Sequence, residues 1–76
     1  MEMNDFIRNF AAQFDETAMS EFTPETHYRD LDEWGSLIAL AVHNMIAKRY
    51  DVTLKPGEMK QTNTIQELFD LVLSKK

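Results

Sequence analysis

Ser36 stands where a long polar stretch gives way to helical spacing, in the run Glu33-Trp34-Gly35-Ser36-Leu37-Ile38-Ala39-Leu40. A serine at such a junction presents its hydroxyl to solvent. The start of a helix offers unpaired N–H groups and the positive end of the helix dipole, so a phosphodiester formed on that hydroxyl would be held by backbone amides. Serine is also among the preferred N-cap residues, and plain capping is the competing reading. No nucleophile–base pair, phosphate-cradling glycine loop or paired-carboxylate motif stands out elsewhere. Ser36 and His43 share a helical face, but two turns amount to about 10 Å of rise, too far for a hydrogen bond. His27 and His43 lack metal-type spacing and read as surface or half-buried histidines.

Composition narrows the function classes. Thirteen acidic residues against eight basic ones leave a net charge of −5. Sequence-independent nucleic-acid binding needs the opposite sign, because Lys and Arg must displace counterions from phosphates. Partners that present basic patches suit such a chain. At 76 residues one domain over 1–76 is expected, too small to enclose a large active site. The absence of cysteine removes disulfides and thiolate metal sites. No apolar run is long enough for a signal peptide or a membrane span. The expectation is a monomeric cytoplasmic protein with no nucleic-acid partner and no membrane insertion.

Hydrophobic spacing predicts the elements that must position Ser36. Met3, Phe6, Ile7, Phe10, Ala11 and Phe14 recur at three- and four-residue intervals, giving a first helix with one apolar face. Asn4 is its expected N-cap, and Asp5 suits its first turn. From Asp15 to Gly35 the pattern fades into a long loop, broken at Thr23-Pro24 and anchored by Met19, Phe22, Tyr28 and Leu31. A structureless loop of that length is uncommon in a small domain unless it is functional and tied down. Helical spacing resumes at Ser36 and runs to Tyr50, with Ala39, Val42, Ile46 and Tyr50 in one stripe and Ile38 and Met45 on its flanks.

Val52 and Leu54 then alternate briefly in strand fashion, Pro56-Gly57 closes the segment, and a short helical turn over Glu58 to Gln61 inserts Met59. Thr64 and Glu67 have capping-box spacing at the start of the last helix. Ile65, Leu68, Phe69 and Val72 form its buried stripe, while Lys75 and Lys76 suit the negative end of its dipole. Trp34 is expected to anchor the loop. Gly35 is expected to allow a backbone angle that other residues resist.

The chain resembles the acyl carrier protein family, whose mark is an Asp-Ser-Leu motif opening the second helix after a long first loop. The likeness is carried by Trp34-Gly35-Ser36-Leu37, by Tyr50 closing the second helix, by Val52-Thr53-Leu54-Lys55-Pro56, and by Thr64-Ile65-Gln66-Glu67-Leu68. It runs from Tyr28 to Leu73, about three-fifths of the chain, and the first helix matches only in pattern. The resemblance implies an all-α, acyl-carrier-like bundle of three main helices plus one short helix. It implies a covalent 4′-phosphopantetheine arm on Ser36, delivered from coenzyme A by a phosphopantetheinyl transferase. The arm's thiol would carry acyl or aminoacyl groups as thioesters between a loading ligase and downstream transferases. Such a protein catalyses nothing itself; a tethered arm replaces diffusion by a high effective concentration.

Two departures from the family are visible. Gly35 replaces the usual aspartate, whose carboxylate in the family helps the transferase and its divalent cation recognise the site; Asp32 and Glu33 are near but not equivalent. Residues 36 to 50 contain no Asp or Glu, whereas fatty-acid carriers are acidic there, and seven of the thirteen acids fall between Asp15 and Glu33. Steering by charge is therefore expected from the loop. Leu40 lies one turn after Ser36, outside the core stripe. Trp34, Gly35, Leu37, Leu40 and Ala41 form the expected partner-binding set. The expected function is a carrier in a specialised biosynthetic pathway rather than in bulk fatty acid synthesis. The alternative, favoured by Gly35, is an unmodified carrier-like helical protein–protein interaction module.

Overall fold

The computed structural model describes every residue from Met1 to Lys76. Three α-helices carry the chain: α1 (Met3–Ala11), α2 (Ser36–Tyr50) and α3 (Ile65–Ser74). Single 3-10 turns at Met19–Glu21, Tyr28–Asp30 and Met59–Gln61 punctuate the connections. There are no strands, only one isolated antiparallel bridge between His27 and Thr64. The radius of gyration, 11.1 Å, is close to the roughly 11 Å of a compact chain of this length. The architecture is a small all-helical bundle.

α1 starts two residues earlier than its sequence suggests. Its N-cap is Glu2 rather than Asn4, with no side-chain cap, because Met3 already packs against the core as a helical residue. The helix stops at Ala11, short of Phe14, yet a bond from the Phe14 N–H to the Ala11 carbonyl (3.0 Å) turns the chain so that Phe14 still reaches the core.

The long connection that follows is strapped down. The carbonyls of Pro24 and Thr26 accept hydrogen bonds from the Gln66 N–H (2.9 Å) and the Ile65 N–H (3.1 Å). Phe22 and Tyr28 are buried and Leu31 is half-buried. Met19 is not the anchor its type suggests: it is 52% exposed, on a 3-10 turn none of whose residues is buried.

The same strap completes the start of α3. Thr64 Oγ1 accepts from the Glu67 N–H (3.1 Å), and Glu67 Oε1 accepts from the N–H groups of Asn63 (2.6 Å) and Thr64 (3.1 Å). With Ile65 and Gln66 bonded to the loop, every amide in the first turn of α3 has a partner. Ile65, Leu68, Phe69 and Val72 are all buried.

α2 buries Val42, Met45 and Ile46. Tyr50 closes it against α1, with its ring 5.7 Å from that of Phe6 and its hydroxyl accepting from Asn9 Nδ2 (2.8 Å). Asp51 then adopts the left-handed region (φ 57°), which ends the helix and is followed by Val52 and Leu54, both buried. A bond from the Glu58 N–H to the Lys55 carbonyl (3.1 Å) closes a turn whose third residue, Gly57, has φ 93°, a conformation that favours glycine. The expected short helix is a single 3-10 turn that seats Met59 in the core. Lys75 and Lys76 reach beyond their own helix: Lys75 Nζ pairs with the Glu58 carboxylate (2.6 Å), and Lys76 Nζ donates to the Tyr50 carbonyl (3.4 Å) at the end of α2.

Phe10, with no exposed surface, sits amid the rings of Phe14 (5.5 Å), Tyr28 (5.4 Å), Phe22 (6.1 Å) and Trp34 (6.3 Å). Such aromatic pairs add about 0.5–1.5 kcal/mol each beyond area burial. Tyr28 is fully buried; its hydroxyl lies 3.1 Å from the Met59 carbonyl and bonds with the hydroxyl of Thr62, the one buried polar residue. Burial pushes the Tyr28 phenol above its ordinary pKa. Replacing Tyr28 by Phe removes one of the two bonds of the Thr62 hydroxyl, which keeps its donation to the Met59 carbonyl (2.8 Å), and is expected to cost about 1 kcal/mol, lowering Tm by about 4–8 °C. Thermal unfolding beside exposed Met19→Ala checks this; equal Tm values would mean that the buried hydroxyl pair contributes nothing.

Candidate functional site

Ser36 is exposed and is the first residue of α2. It caps nothing. Gly35 holds the N-cap position and no side chain caps the helix. The first helical bond runs from the Ala39 N–H to the Gly35 carbonyl (2.9 Å), so the amides of Ser36, Leu37 and Ile38 have no partner within the chain. α1 is likewise uncapped, but α3 is completely satisfied.

Two adjacent residues fix this junction in opposite ways. Trp34 is half-buried: its indole stacks on Phe10 (interplanar angle 7°) and meets the ring of Tyr28 edge-on at 4.9 Å. Glu33, beside it, ties the end of the loop to its beginning. Its carboxylate accepts from the N–H groups of Asp15 (2.8 Å), Glu16 (2.9 Å) and Thr17 (2.7 Å) and from the Thr17 hydroxyl (2.6 Å). The Thr17 hydroxyl bond, followed by the backbone N–H donors, holds the Glu33 pKa down from 4.5 to about 2. The chain then leaves the core at Gly35, which is extended (φ −170°). A Cβ there would meet nothing within 4 Å. Gly35 therefore does not supply the unusual backbone angle expected of it; any residue can adopt this conformation.

Exposed apolar residues follow Ser36 along α2. Leu37 is 82% exposed and Leu40 58% exposed, while Ala41 is half-buried. Lys48 and Arg49 are exposed toward the far end of α2. A cleft of about 360 Å³ opens between α2 and the segments around Arg29 and Lys60, lined in part by Trp34, Ala39, His43 and Met59. His43 thus faces a cleft and makes no hydrogen bond to Ser36. A separate concavity in the loop is acidic, with Glu16, Glu21, Asp32 and Glu33 in its wall.

Ser36, Leu37 and Leu40 are exposed as their spacing predicts, but spacing missed the role of Glu33, one acid among several. Its partners lie 16 to 18 residues upstream, and no local pattern marks such a pairing. Arg29 and Lys60 were missed for the same reason, since only folding brings them to one cleft. Searches against protein-family models, curated proteins and solved structures found no match to this chain. No helix is long and apolar enough to cross a membrane.

The Glu33 clamp has a defined pH window. A carboxyl whose folded pKa lies below its ordinary value stabilises the fold fully above pH 4.5 and loses that contribution as the pH falls toward about 2. In an NMR titration the amide shifts of Glu16 and Thr17 are expected to move with a midpoint near 2, and Glu33→Gln should remove that transition. A midpoint near 4.5 would mean that the clamp is absent in solution.

Proposed function

We propose that this chain is an acyl carrier protein that bears a 4′-phosphopantetheine arm on Ser36. The observation that carries this reading is the exposed Ser36 hydroxyl on the first, uncapped turn of α2, within a segment that resembles the family's attachment motif. The bundle of three helices with a long, strapped first connection is compatible with an acyl-carrier-like fold.

The residues present fit such a group. The free amides of Ser36, Leu37 and Ile38 would hold its phosphate, helped by the positive end of the α2 dipole. In the loading reaction Ser36 Oγ forms the new bond to phosphorus and gives up its proton, while the adenosine bisphosphate half of coenzyme A leaves. The arm supplies a flexible thiol that carries acyl or aminoacyl groups as thioesters. Glu33 and Trp34 keep the attachment point in one place, which limits the volume the arm sweeps and raises the effective concentration of its end at each enzyme visited.

Leu37, Leu40 and Ala41 offer an apolar landing surface to the phosphopantetheinyl transferase, the loading ligase and downstream transferases. The acidic loop upstream supplies long-range attraction to basic partners. A recognition helix without Asp or Glu fits specialised cytoplasmic pathways better than bulk fatty acid synthesis. Catalysis plays no part in this reading.

Intact-mass measurement after incubation with coenzyme A and a broad-specificity transferase tests the proposal. The wild-type chain should gain one phosphopantetheine group and Ser36→Ala none. No gain with several transferases would instead support an unmodified interaction module docking through Leu37, which is 82% exposed.

Gly35→Asp is a second test. An aspartate at this N-cap position should accept from the free amides and stabilise α2 by about 0.5 kcal/mol, raising Tm by about 2–4 °C. It should also speed modification by restoring the family's carboxylate. Higher Tm with an unchanged rate would show that Gly35 does not limit transferase recognition.

A further inference from the structure

We propose that the cleft beside Ser36 is a cargo site selective for acyl groups that end in a carboxylate. The inference rests on the carrier reading for how such a group arrives, but the cleft's chemistry stands apart from it. Ala39 and His43 line the cleft and follow Ser36 by three and seven residues, so they lie on the same face of α2. A group tethered at Ser36 therefore meets this cleft along its own helix face, with no element to cross.

The lining has two parts. Met59, Trp34 and Ala39 provide apolar surface that suits a short methylene chain. Arg29, Lys60 and His43 provide cationic or hydrogen-bonding groups, and no Asp or Glu lines the cleft. In a chain of net charge −5, a concave surface with two permanent cations and no carboxylate runs against the composition.

Of the acids on neighbouring segments, exposed Asp30 follows Arg29 in the chain but does not line the cleft, and Glu67, which acts on Arg29 through its charge, commits its carboxylate to the Asn63 and Thr64 N–H groups. Glu58, beside Met59, directs its carboxylate to Lys75 Nζ (2.6 Å) and the Lys55 N–H (2.6 Å). Asp32 and Glu33 face the separate acidic concavity of the loop. Arg29 is held in place by donating to Asn63 Oδ1, which leaves further N–H donors of its fork available. Lys60 makes no ion pair or side-chain hydrogen bond in the chain, so its charge is free to meet an incoming anion.

Trp34 is the sole tryptophan and lines the cleft, so its emission reports occupancy directly. The unmodified chain is titrated with S-glutarylpantetheine and with S-pentanoylpantetheine, which share a five-carbon acyl chain and differ in the terminal carboxylate. The glutaryl compound should bind about fivefold more tightly, the scale of one partly exposed ion pair. The preference should shrink in high salt and fall by about half or more in Lys60→Met, an exposed substitution whose circular dichroism should match wild type. Arg29→Met should reduce it as well. Equal affinities for the two compounds, or a preference that survives Lys60→Met at full strength, would overturn the inference. Because the experiment needs no arm on Ser36, its outcome is independent of the intact-mass result: a modified chain without the preference keeps the carrier reading and loses only the cargo assignment.

Discussion

The constraint on which the site depends is the double fastening of Glu33 and Trp34. Between the end of α1 and the start of α2 the chain has no α-helix, and ordering each such residue costs about 1–2 kcal/mol of backbone entropy. Trp34 offsets part of that cost by completing the aromatic cluster around Phe10. Glu33 offsets more by accepting four hydrogen bonds from Asp15, Glu16 and Thr17, which makes the loop close on itself just before it reaches α2. Two residues later the chain is in solvent. Ser36 therefore has an exposed side chain on a backbone that the core holds in place, the combination that the proposed tether needs.

α2 also divides its apolar residues between two environments. Val42, Met45 and Ile46 are buried, yet Leu37 and Leu40 face water. Exposing two leucines beside the start of a helix gains nothing for folding, and exposed apolar groups of this size suit transient docking by partners.

Charge is distributed with a similar logic. The loop wall that holds Glu16, Glu21 and Asp32 is acidic, while the cleft along α2 carries Arg29 and Lys60 without an acid. Glu33, in the acidic wall, gives its carboxylate to backbone amides, and Glu58, next to Met59, gives its own to Lys75 and the Lys55 amide. Surfaces of opposite sign thus occur within one small domain. On the proposed carrier reading, a partner approaching along the acidic side and a cargo resting on the basic side would not compete.

Much of this was legible in the order of residues alone. The bounds of α2 at Ser36 and Tyr50, the Thr64–Glu67 capping box and the buried stripe of α3 were all readable, because each depends on groups within about one turn of one another. The start of α1 at Met3 rather than beyond Asn4, the exposure of Met19 and the ordinary backbone of Gly35 were not, since packing rather than local preference decides them. Least legible were the clamp on Glu33 and the meeting of Arg29, His43 and Lys60 at one cleft. Local spacing determined where helices begin and which faces are apolar; tertiary structure decided which distant groups share a hydrogen bond or a surface, because those partners become neighbours only once the core has closed around Phe10.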